Sequence, residues 1–272
     1  MTRSPDRARQ GGGKATNTTT KALGWRVFGL GVMALGLVSL VWGGFDPGQP
    51  VPKGFPGRAV LAHAAALFML LAGAAIEWRR AAAWAAAALA AYYGLIVVLL
   101  MNGAVALAHP REYGAYSGAA EQLAIAAGGL IVYAGNARIE AALAARLTRL
   151  AQQAFGVCAL LFGGAHFFYL NLTAPLVPSW APPSQAFWAY ATGVTHIVAG
   201  AAILTSVQAR LAAVLLTVMF AAFTPLVHLP LLLADPSSHG LWAENALNLA
   251  LVGAAWVVAD SLARHRPGVE LS

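Results

Sequence analysis

Apolar runs long enough to cross a bilayer recur eight times in this chain, at 25–44, 60–77, 81–106, 120–136, 152–171, 186–205, 209–233 and 241–260. A hydrocarbon core about 30 Å thick takes roughly 20 residues at a helical rise of about 1.5 Å each. The run at 120–136 is the shortest. Backbone groups find no water inside lipid, and these Ala- and Leu-rich runs lack the alternation of a barrel strand, so each is expected to be a helix. Composition agrees: 59% of residues are hydrophobic and 10% charged, against about a quarter charged in soluble domains. The fold class expected is an all-α membrane protein with eight transmembrane helices.

The polar stretches between the runs set the domain limits. Residues 1–24, with GGGKATNTTTK, show no apolar period and read as a disordered cytoplasmic tail; residues 262–272 read as a second tail. Between them stand one four-helix unit at 25–136, a linker at 137–151 and a second four-helix unit at 152–261. The linker suits either a short interfacial helix or a solvated helical extension. No A-x-A-like cleavage site follows residues 25–44, so that run is expected to stay as a signal anchor. Of the seventeen Lys and Arg, all but Lys53, Arg58 and Arg111 fall on the side of the N-terminus. The positive-inside rule then puts both ends in the cytoplasm. Topology thus accounts for the formal charge of +7 and leaves no call for a nucleic-acid partner; the expected partner is the lipid bilayer. The one cysteine, Cys158, lies in an apolar run and excludes any intrachain disulfide or CxxC pair.

The two units resemble each other. LLAGAAI at 70–76 matches IVAGAAI at 197–203, and VFGLGVMALG at 27–36 aligns with AFGVCALLFG at 154–163 at one offset. Val51-Pro52 corresponds to Val177-Pro178, Pro110 to Pro236, and Ala120-Glu121 to Ala243-Glu244. Four spans per unit is an even number, so both units enter from the same side, and two parallel four-helix repeats are expected side by side.

The duplication isolates what differs. His166 stands opposite Ser39, His196 opposite Met69 and His228 opposite Met101, whereas the glutamate is shared as Glu121 and Glu244. An ionisable side chain in an apolar helix is costly and needs a partner or a function. His166, His228 and Glu244 fall toward the outer ends of their helices and His196 deeper, with Asn248 one turn below Glu244. His196 shares a face with Gly193 and Gly200, which turns it toward a packed interior. These five, His166, His196, His228, Glu244 and Asn248, are the candidate ligand-binding or proton-relay residues. Plainer explanations stand beside this one: Glu121 and Glu244 as first-turn carboxylates favoured by the helix dipole, His228 as an interfacial residue near a helix end, and His196 as a neutral histidine bonded to a neighbouring helix. His63, His109, His239 and His265 read as packing, loop or tail residues, and Trp180 and Trp242 as interfacial anchors. No short metal-ligand motif joins the histidines, so no metal site is assigned. Walker, GxGxxG, GxSxG and HExxH sequences are missing.

GGAHFF, VPSWAPP and TGVTHIVAGAAIL followed by RLAAVLL make residues 153–260 resemble the DoxX family of bacterial four-helix membrane proteins; residues 26–136 resemble it in outline. The resemblance implies a plasma-membrane location and, for some members, a link to quinone or thiosulfate oxidoreduction. By position, His166 matches the histidine after the small-residue pair of the first family helix. His196 departs from the family pattern, which resembles GVxE. Three functions follow as expectations: a redox-associated subunit, quinone-linked or proton-relaying, with a membrane or redox protein partner; a non-catalytic scaffold or assembly factor; and a small-solute carrier. Whether it is an enzyme stays open.

Overall fold

A computed structural model describes residues 23–263. It is all-helical, with no strand among the described residues. The eight helices of membrane-crossing length are α1 (Gly24–Trp42), α2 (Arg58–Glu77), α3 (Ala82–Ala108), α4 (Tyr113–Asn136), α5 (Ala141–Phe168), α6 (Gln185–Thr205), α7 (Ala209–Ala234) and α8 (His239–Ala263). A one-turn helix, Leu170–Thr173, follows α5. Both tails of the sequence reading lie outside the described residues apart from their innermost positions. Leu30, Leu37, Leu71, Leu99, Val198 and Val218 are exposed on the helix flanks. Such exposed apolar faces, on helices of membrane-crossing length, suit a lipid solvent.

Consecutive helices pack on one another from α1 to α8, and α8 returns to α1, closing a ring; α4 and α8 also touch across its middle. The first helix of each half therefore packs on the last helix of the other. Burial follows this order: 72% of the apolar stretch of α8 and 61% of that of α4 are buried, against 22% for α3 and α7. Phe28, Leu35, Ile76, Ile125, Phe155 and Leu216 form the shared core.

Small residues set the tightest crossings. A Cβ on Gly73 of α2 would lie 2.7 Å from the Gly29 carbonyl oxygen of α1, and a Cβ on Gly200 of α6 would lie 2.7 Å from that of Gly156 in α5. On α8, Gly253 and Ala250 likewise admit the α1 backbone at Phe28 and Gly31. In lipid, where apolar burial gains little, this backbone proximity is what brings helices together.

Three helices extend beyond their apolar runs. Residues 141–151 continue without a break into α5. α4 starts at Tyr113 and α8 at His239, so Glu121 and Glu244 stand well inside their helices, and neither helix has an acidic residue in its first turn. The first-turn placement expected of both glutamates is thereby corrected. Tyr113 explains the extension of α4, since its ring stacks on Phe168 at 4.4 Å and its hydroxyl donates to the Leu161 carbonyl at 2.8 Å.

Candidate functional site

α5, α6, α7 and α8 bring all five candidate residues, His166, His196, His228, Glu244 and Asn248, around one cavity of about 250 Å³. The His166 and His196 rings stack with centroids 5.6 Å apart and planes 24° from parallel. Gly193 makes the room: a Cβ there would sit 2.9 Å from the His166 Cβ. Phe162 and Phe220 flank His196 at 5.9 and 5.5 Å, and Phe223 packs on Phe220 at 6.1 Å. Phe162, Phe220 and Phe223 thus line the cavity together with the polar groups.

His196 is 2% exposed. Its Nδ1 lies 3.1 Å from the Thr192 carbonyl oxygen one turn earlier. A carbonyl can only accept, so Nδ1 carries the proton, and the neutral ring presents a bare lone pair at Nε2. That Nε2, His166 Nδ1 and Thr173 Oγ1 are buried without a partner in the protein, and all three residues line the cavity. Buried polar atoms are ordinarily paired, so three together mark a place built to receive something polar.

Asn248 is committed to α7. The segment Thr224–His228 has π geometry, in which Pro225 offers no N–H to the carbonyl of Phe220. Asn248 Nδ2 donates to that carbonyl at 3.0 Å and to Thr224 Oγ1 at 2.9 Å, leaving only its Oδ1 for the cavity. The half-buried His228 closes the same π segment, its carbonyl accepting from Asn245 Nδ2 at 3.0 Å.

Glu121 of α4 also lines the cavity. The sequence reading singled it out as the shared glutamate yet assigned the site to the second unit alone; an ionisable group in an apolar helix was the signal. Glu121, Glu244 and Leu247 are in turn the wall shared with a second cavity of about 380 Å³, lined by Asp46, Asn102, Glu112 and Gly118. Asp46, in the α1–α2 loop, is 5% exposed. Burial pushes its carboxyl up to about 6; the Gly48 amide, bonded to Oδ1 at 2.9 Å, opposes this and the neighbouring Glu244 adds to it. Sequence offered little to find Asp46, because an Asp-Pro-Gly turn is ordinary loop chemistry.

At Met69, which the sequence sets opposite His196, the interior is filled. Met69 Sδ accepts from the Tyr93 hydroxyl at 3.0 Å and from Gln49 Nε2 at 3.3 Å, while the Tyr92 hydroxyl donates to Gln49 Oε1 at 2.9 Å. A loop residue thus plugs that interior.

The other histidines lie apart from the cavity. His63 Nδ1 contacts the Ala59 carbonyl at 2.7 Å, His109 pairs with Glu112 at 3.0 Å, and His239 stacks on Trp42 at 5.3 Å. His265 lies outside the described residues. Trp180 is exposed, and Trp242 packs near Trp42 at 6.2 Å. Among the described residues no three His, Cys, Asp or Glu side chains converge as a metal ion requires.

A family model described as a domain of unknown function (DUF8561) matches residues 154–259, the stretch that carries all five candidates. No curated protein and no solved structure matches the chain.

Proposed function

We propose that this chain is a DoxX-like, tandemly duplicated protein of the bacterial plasma membrane, both ends cytoplasmic, whose second unit holds a quinone-like lipid headgroup or relays protons near the outer leaflet. On this reading it is a redox-associated subunit. The observation that carries it is the convergence of His166, His196, His228, Glu121 and Glu244 on one aromatic-walled cavity. Ionisable groups inside a membrane protein concentrate on substrate and proton paths. Glu121 and Glu244 also line the adjoining cavity at Asp46.

Two parallel repeats are supported by contacts that occur twice. The Gly29–Gly73 crossing recurs as Gly156–Gly200, the Tyr93–Met69 contact as Phe220–His196, and π geometry interrupts both third helices, at Tyr92–Asn102 and Thr224–His228. Matched interruptions of this kind also favour a second reading as a small-solute carrier, whose sites form where paired helices lose regularity.

The protein purified from its own membranes tests the first reading. A quinone or another ring-bearing lipid is expected in its extract, and is expected to be missing from the His166→Ala, His196→Ala double variant, with a matching respiratory defect in the host. An extract free of such lipids, together with an unchanged respiratory phenotype, contradicts it.

A further inference from the structure

Resting on the ligand-cavity reading above, we infer that the occupant is an aromatic ring bearing a free hydroxyl, a phenol or hydroquinone rather than its oxidised or O-alkylated counterpart. His196 Nδ1 is spent on the Thr192 carbonyl, so the atom presented by the neutral ring, Nε2, can only accept. Among the described residues no carboxylate stands within ion-pair distance of either stacked imidazole, and two positive rings 5.6 Å apart would repel one another in an apolar setting. The neutral, accepting state is therefore the resting one.

A ligand that only accepts, such as a quinone carbonyl or an ether, leaves that lone pair buried and unsatisfied. A hydroxyl satisfies it. Thr173 Oγ1, on the same cavity, is also buried and without a partner in the protein.

Size and shape restrict the rest of the molecule. An apolar cavity of about 150 Å³ holds benzene; the space here, about 250 Å³, accommodates a substituted aromatic ring. Phe220 meets Phe162 at 6.3 Å and Phe223 at 6.1 Å, both edge to face, and all three line the cavity, which gives a flat ligand ring aromatic neighbours.

The test compares para-fluorophenol with para-fluoroanisole, its O-methyl ether, which cannot donate. Saturable binding to the full-length protein in nanodiscs is followed by fluorine NMR, with empty nanodiscs subtracted for partition into lipid. The phenol is expected to bind about tenfold more tightly or better, as loss of one buried hydrogen bond implies. His196→Leu is expected to abolish that preference, and His196→Gln, which keeps an acceptor, to retain part of it. The comparison on the unmodified protein stands even if a variant fails to fold. Equal or tighter binding of the anisole overturns the inference while leaving a ligand cavity in place. Saturable binding of neither overturns the inference and assigns the polar atoms to water, so the ligand-cavity reading then rests on the lipid extract alone.

Discussion

At Asp46 a single carboxyl links burial to pH. Its value in the folded protein, about 6, lies above the 3.8 of an unperturbed aspartate. The folded state thus holds the proton more tightly than the unfolded state does. Stability from this group is full below about pH 4, declines as pH rises toward 6, and is level above, a loss on the order of 3 kcal/mol. Glu112, Glu121 and Glu244 face the same cavity and remain when Asp46 is changed. Asp46→Asn keeps an acceptor for the Gly48 amide and cannot ionise. Thermal unfolding in detergent across pH 4 to 7 is expected to show its advantage over the parent growing with pH; an advantage independent of pH contradicts this assignment. At this scale the sequence was informative where chemistry is out of place. Histidines in Ala- and Leu-rich helices are conspicuous, whereas Asp46 sits in a turn and Thr173 after a helix end, where polar residues are ordinary. Asn248 was legible as a polar residue on the right face, but its commitment to the Phe220 carbonyl depends on Pro225 of another helix, which no local pattern relates to it.

The helices themselves follow from the length of the apolar runs, and only their ends do not. Tyr113, Gly114 and Tyr116 carry α4 beyond its apolar run because Tyr113 docks on α5. Aromatic and small residues outside a hydropathy window give no sign of that docking. Gly200, in contrast, was legible as part of a packed face: Gly156 and Gly200 let α5 and α6 meet at backbone distance. Gly200→Val is expected to cost about 1 to 3 kcal/mol or more through overpacking, read as a fall in the unfolding temperature of the detergent-solubilised protein. Gly44→Ala serves as the control, since a Cβ there meets nothing within 4 Å, and little change is expected. Equal effects at the two positions contradict the crossing as drawn.

For the whole molecule, eight spans were legible but their neighbours were not. Periodicity says which face of a helix is apolar, and it does not say which helix covers that face. Hence the sequence suggested two bundles side by side, while α1 packs on α8, α5 packs on α4, and the α4–α8 pair lies between the halves. That exchange is what brings Glu121 of the first half into the wall of a cavity built from the second. Ionisable groups are tolerated in a membrane where they turn inward together. An experimental structure of the full chain in lipid nanodiscs is expected to show stacked His166 and His196 rings with centroids near 5.6 Å and Glu121 and Glu244 in the wall of the same cavity; rings splayed apart and turned toward acyl chains contradict that inward arrangement.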